Sequence, residues 1–240
     1  MILVPFIAVC AVFSVALGLV WVRLRAARRA DFIRAYAFPK GLIEKLQQRR
    51  PGLAAKEGQL VARALRQFFL AHLKSGRRFV AMPSQVADDL WHEFILYTRH
   101  YDVFCKQAFG RFLHHTPAVV LAHDPHDNAG LRRVWWQCCK EENINPTRPT
   151  RLPLLFALDA KLGVADGFHY TPDCSALRSA RADGASSATH CGGDFSSAAF
   201  DGGTDGFGDG HGGDGGDGGD GGGGGGGDGG GDGGGGCGGD

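Results

Sequence analysis

The stretch "DDLWHEFILYTRHYDVFCKQAFGRFLHH", residues 88–115, sets four histidines, one cysteine and two adjacent aspartates within 28 positions. Imidazoles and carboxylates together do two kinds of chemistry. They hold a first-row metal ion, or they pass a proton. On a helix with His92 at 0°, Asp88 falls near about −40° and Asp89 near about 60°. Leu90, Phe94, Tyr97, Tyr101, Phe104, Ala108 and Phe112 fall between about 120° and 200°, so the apolar stripe lies opposite His92. Trp91 and Ile95 border the His92 face. Either aspartate can orient the imidazole for metal binding or proton transfer. The plainer alternative is a solvated helix face with an i,i+4 Asp–His pair worth about 0.3 kcal/mol. His92-Glu93 begins like the zinc-protease pattern H-E-x-x-H, but position 96 is Leu96, which removes the second ligand.

His114 and His115 would lie roughly 33 Å from His92 along an unbroken helix. A joint site therefore requires a break at Gly110 with a fold-back, or a second helix. His123 and His126 follow in a Pro-containing loop. Ligands drawn from His114, His115, His123, His126 and Cys138 or Cys139 could form a tetrahedral zinc site, and His92 can join such a set after a fold-back. The spacing matches no standard zinc pattern. The alternative for His114-His115 is a pair at a helix C-terminus that interacts with the helix dipole.

The elements that must position these residues read as helices. In "LAAKEGQLVARALRQFFLAHLK" (53–74), Val61, Leu65, Phe68, Phe69 and His72 recur at three and four. This makes His72 a core histidine with one hydrogen-bond partner. Pro83 ends the preceding segment and Ser84 is a good N-cap. From there the spacing predicts one long helix to about Gly110. A further helix fits "NAGLRRVWWQCCKEEN", with Leu131, Val134, Trp135 and Cys138 inward. Another fits "LPLLFALDAKLG", with Pro153 in the first turn and Gly163 at the C-cap. A short helix from Asp31 to Arg50 links this domain to the apolar segment before it. No stretch alternates like a strand. The expected fold is all-α: one N-terminal transmembrane helix, a small irregular bundle of four or five helices and a disordered tail.

"MILVPFIAVCAVFSVALGLVWV" runs without a charge and spans roughly 30 Å, the thickness of a bilayer core. "RLRAARR" follows. No Lys or Arg precedes the run, and its far end lacks a small-residue cleavage site, so an uncleaved anchor is expected rather than a signal peptide. Arginines on the C-terminal side put that side in the cytoplasm. The expectation is a single-pass protein of the cell membrane with its N-terminus outside. The bilayer is met by residues 1–22, and Arg23, Arg25, Arg28 and Arg29 can contact anionic lipid. The segments are then 1–22 (span), 23–52 (basic juxtamembrane and linker helix), 53–173 (helical domain) and 174–240 (tail). Seven cysteines with no C-x-x-C are simplest as free thiols in a reducing compartment.

The tail is a separate case. Residues 184–240 hold 30 of the 39 glycines, and residues 183–240 hold eleven acids and no Lys or Arg. Such a chain cannot bury enough apolar surface to offset its entropy. It has no aliphatic residue per period to build a calcium-binding β-roll. The body, residues 1–182, has 26 Lys and Arg against 14 acids, a balance of +12 that the overall +1 hides.

"MPSQVADDLWHEFILYTRHYDVFC" followed by "AFGRFLHHTP" resembles the bacterial glycine-rich domain-containing proteins. The shared pattern is D-x-x-W-H-x-x-I-L-x-T-x-x-Y, then C, then G-R-F-L-H-H. Here it is carried by Asp88, Trp91, His92, Ile95, Leu96, Thr98, Tyr101, Cys105 and the run Gly110 to His115. The resemblance implies a joint role for Asp88, Trp91, His92, His114 and His115. It implies no particular activity. The tail departs from the expected Gly-Cys ending, since only Cys191 and Cys237 are present.

Two function classes follow. The first is a cytoplasmic helical module for binding or scaffolding, with an unspecified protein partner. The second is a membrane-tethered metal-dependent enzyme, hydrolase-like, using Asp88, His92, His114 and His115. The sequence holds no phosphate-binding Gly-rich loop, no G-x-S-x-G and no basic-aromatic pattern for nucleic acid.

Overall fold

A computed structural model describes residues 3–115, 129–172 and 190–191. The chain divides into Met1–Gly208 and Asp209–Asp240, and all described residues belong to the first unit. The expected disordered tail and His123 and His126 lie outside the described residues, apart from the residue pair 190–191.

The architecture is all-α, as expected. Seven helices are seen among the described residues: α1 Leu3–Ala35, α2 Leu42–Arg49, α3 Ala55–Lys74, α4 Gln85–Leu96, α5 Thr98–Ala108, α6 Ala129–Glu141 and α7 Leu154–Leu162. Two residue pairs, β1 Tyr170–Thr171 and β2 His190–Cys191, meet in parallel register, Tyr170 opposite His190. The stretch from Cys10 to Ala35 is long and apolar enough to cross a membrane. Residues 10–28 are exposed throughout, and the first buried residue of α1 is Ala30. The helix does not end where the apolar run ends. It continues to place Ile33 in the core, so the expected helix within 31–50 is instead the end of α1 followed by α2. Leu42 and Leu46 of α2 are fully buried, and the core thus draws on the 23–52 segment.

α3 is the central helix. Val61, Leu65, Phe68 and Phe69 are fully buried, each contributing about 1.5–3 kcal/mol. Phe69 stacks at 4.8 Å on Phe104 of α5, which meets Tyr36 at 4.6 Å. His72 is a core histidine, as its stripe predicts. Its Nδ1 lies 3.0 Å from the Arg78 carbonyl and its ring packs edge-on against Phe109. Burial, helped by the nearby Arg111 and Arg77 charges, pushes its pKa down to about 4.

The expected single helix from 85 to 110 is two helices. The break is at Tyr97, whose backbone (φ −79°, ψ 58°) leaves the helical region. No Pro or Gly stands there, so periodicity carried no trace of it. The turn still keeps Phe94, Tyr101, Phe104, Cys105 and Ala108 buried. Phe112, which the unbroken stripe would bury, is 42 % exposed.

Candidate metal centre

α4 begins where Ser84 caps it, accepting from the Ala87 N–H at 3.3 Å. A second cap comes from far away in sequence. The buried carboxylate of Asp159, on α7, accepts from Ser84 Oγ (2.7 Å), the Gln85 N–H (2.7 Å), the Val86 N–H (3.3 Å) and the Phe168 N–H (2.9 Å). A carboxylate at a helix N-terminus satisfies orphan N–H groups and suits the dipole. No sequence signal marks Asp159 as this cap, because the α4 groups that it accepts from lie more than 70 residues away.

The two adjacent aspartates of α4 then diverge. Asp89 is buried and pairs with Arg49 (3.1 Å) and Arg50 (2.6 Å) at the end of α2. Arg50 also pairs with Asp166. Asp88 turns the other way. Its Oδ2 lies 3.3 Å from Nδ1 of His92, one turn on, and its Oδ1 lies 2.8 Å from Nε2 of His115. His92 Nδ1 is also 3.0 Å from the Asp88 carbonyl. Wheel geometry had placed both aspartates beside His92; only Asp88 takes that role, because Asp89 is claimed by guanidinium groups on α2.

His115 reaches this point through a reversal. The chain leaves α5 through Gly110, in the left-handed region (φ +76°) that glycine adopts without penalty. The following segment is pinned by Tyr101, whose hydroxyl donates to the Leu113 carbonyl at 2.6 Å and accepts from Trp91 Nε1 at 3.1 Å. Burial pushes the Tyr101 hydroxyl pKa up, so it stays a neutral donor. His115 then packs on Trp91 (ring centroids 4.5 Å) and on His92 (4.1 Å).

Asp88, His92 and His115 each offer one ligand atom, and these atoms lie within 4.8 Å of one another. Metal–ligand bonds of about 2.0–2.2 Å in tetrahedral array need donors roughly 3.3 Å apart. Asp88 meets His115 at 2.8 Å through Oδ1 and His92 at 3.3 Å through Oδ2, and the set spans up to 4.8 Å, so closing it on one ion requires the side chains to shift. Two imidazoles and one carboxylate suit zinc or iron(II), with positions left over for water. The cluster is within reach of solvent: the His92 side chain is 41 % exposed, against 11 % for His115. Glu93 is engaged with Arg49 at 3.4 Å.

Other expected participants stand elsewhere. His114 is exposed and packs on Phe112 at 4.9 Å. It stands outside the constellation, and the contact with Asp88 is made by its neighbour His115. Cys138 and Cys139 are buried and free. Burial pushes the Cys138 thiol well up and that of Cys139 to about 12. The charges around Cys138 are Glu141, Glu142 and Lys74, so it is a core thiol beside α3 rather than a ligand near His115.

No curated protein matches the chain, and no solved structure matches it. A family match does exist, and it begins just ahead of Ala30, where α1 enters the core. Residues 28–195, well over half of the chain, fit the family described as UCP032817-like. The packed helices and the Asp88–His92–His115 cluster both fall inside that span, and the chain belongs to the UCP032817-like family.

Proposed function

We propose that the protein is a membrane-anchored helical module whose working centre is a divalent-metal site formed by Asp88, His92 and His115, zinc being the first candidate. The observation that supports it is the convergence of three ligand-type side chains from α4 and a folded-back segment onto one point. Three protein donors with a free position is the composition of catalytic rather than closed structural zinc sites. A zinc ion held by these residues would supply a water made nucleophilic near neutral pH, and hydrolysis is the reaction class such a centre would serve best. The likeness of this stretch to the glycine-rich domain-containing proteins agrees with a joint role for these residues.

Anchorage is the other half of the reading. The apolar residues of α1 up to Val22 cross the bilayer, with the N-terminus outside and the helical domain on the cytoplasmic side. The arginines after Val22 support that orientation. An impermeant thiol reagent applied to intact cells tests it: Cys237 should stay unlabelled until the cells are opened, and labelling beforehand reverses the orientation.

One observation favours a second reading of the same residues. The Asp88–His115 contact is itself a hydrogen bond at 2.8 Å. It can act purely as a clamp on the 110–115 segment, in a module that binds or scaffolds a protein partner. Metal analysis of the full chain in detergent separates the two. One zinc or iron per chain, lost in His92→Ala with the metal-free melting unchanged, supports the metal centre. No metal uptake, no response to chelator and a lowered melting temperature in His115→Ala would leave only the clamp.

A further inference from the structure

α1 emerges from its apolar stretch through Arg23, Arg25, Arg28 and Arg29. Arg25 lies over the Trp21 ring at 5.1 Å. Arg29 behaves differently. It is half-buried, and its guanidinium lies against Gly110, so closely that a Cβ there would sit 2.5 Å from Nη2. Gly110 suits the left-handed backbone, and a Cβ there would push the Arg29 side chain aside. The next residue, Arg111, donates to the carbonyl of Arg77, and Arg77 donates to the carbonyl of Phe109 at 2.9 Å. Arg77 itself sits in the left-handed region (φ 64°), uncommon for a residue with a Cβ. Its N–H is held by the His72 carbonyl at 2.9 Å.

Arg29 and Arg77 thus meet the turn at 109–110 from two separate segments, and Arg111, leaving that turn, reaches back to the Arg77 backbone. Arg34, Arg49, Arg50 and Arg151 each pair with a carboxylate. Among the described residues, Arg29, Arg77 and Arg111 pair with none. The Arg29 pKa is lowered, first by burial and then by repulsion from Arg25 and Arg77. Like charges brought together without counter-charge favour an anion between them, and the guanidinium fork matches phosphate oxygens. The place matters as well. Arg29 follows the 22-residue apolar run by seven residues, about 10 Å along the helix axis, within side-chain reach of the headgroup layer.

We infer that Arg29, Arg77 and Arg111 form a binding site for the phosphate group of an anionic lipid headgroup, at the junction of α1 with the helical domain. The site rests on the anchorage proposed above. It differs from a loose basic stripe in that two of its three arginines come from outside α1.

The test uses the full chain in neutral detergent, with phosphatidylglycerol, phosphatidylcholine or inorganic phosphate added. Bound lipid is read by native mass spectrometry and stabilisation by melting temperature. Phosphatidylglycerol should be retained at least about 10-fold over phosphatidylcholine, a difference of about 1.4 kcal/mol. That preference should fall to near unity in R77Q/R111Q and in the milder R111Q, and survive in the distant, exposed R148Q. A preference unchanged in both R111Q and R77Q/R111Q overturns the site. Inorganic phosphate that stabilises equally and displaces the lipid overturns the lipid as its source. Intact mass of the chain recovered from membranes judges anchorage separately. Loss of residues 1–22 sinks that reading, whereas a full-length chain without lipid preference sinks this site alone.

Discussion

α4 carries two neighbouring aspartates in two different corners. Asp89 is held by Arg49 and Arg50, guanidinium groups that stay charged at every ordinary pH. Asp88 is held by two imidazoles, His92 and His115. Imidazoles change charge near neutrality and exchange a proton for a metal ion. One corner is a permanent fastening between α2 and α4. The other is a fastening made of groups that chemistry can open. The same residue type one position apart serves stability on one side and reactivity on the other, and the difference lies wholly in the partners.

The comparison depends on the start of α4, and the largest effect should come from there. Asp159→Ala removes four hydrogen-bond acceptances in a buried site and should cost about 3–5 kcal/mol, measured by chemical denaturation. If it costs under about 1 kcal/mol, α4 is not held as described. Asp89→Ala should come next, at about 2–3 kcal/mol. The value stays below that of a fully buried pair because Arg49 and Arg50 keep partial contact with water. Asp88→Ala should barely move the metal-free stability, by about 1 kcal/mol or less, while lowering zinc affinity about 100-fold in a titration. Equal destabilisation by Asp88→Ala and Asp89→Ala would erase the contrast.

Acid acts on the molecule through a histidine in neither corner. The His72 pKa lies near 4 when folded, below its ordinary 6.5. The unfolded chain therefore takes the proton first. Its contribution is whole above pH 6.5 and is lost as pH falls towards 4, by up to about 3 kcal/mol. In His72→Gln this slope should flatten in denaturation curves taken between pH 7 and 4. The smallest effect on the centre belongs to Tyr101→Phe. Losing the hydroxyl between Trp91 and Leu113 should cost about 1–1.5 kcal/mol and loosen the 113–115 segment. Zinc affinity should fall about 10-fold without loss of a ligand.

What the sequence revealed follows the range of the interactions. Ser84 and Gly163 were legible as caps because caps are local. His72 was legible because its stripe repeats at helical spacing. The Asp88–His92 pair was legible because both lie on one helix face. The turn at Tyr97 was hidden, since neither Pro nor Gly marks it and the apolar spacing continues across it. His115 rather than His114 joins the centre because the Tyr101 hydroxyl fixes the returning strand of chain, and no periodicity reports a hydroxyl's partner. Asp89 left the expected face because Arg49 and Arg50 stand near it in space, 39 or more residues away in sequence.

α1 runs from Leu3 to Ala35 with no break between its exposed apolar part and Ile33. A continuous helix has no swivel. Each residue added between Val22 and Ala30 would turn the domain about 100° around the helix axis and lift it about 1.5 Å. With the apolar part seated in a bilayer, the register of this shaft decides which side of the domain looks at the lipid. Inserting a single alanine should act as a quarter-turn of the whole module, and a flexible Gly-Gly-Ser there should free its heading altogether.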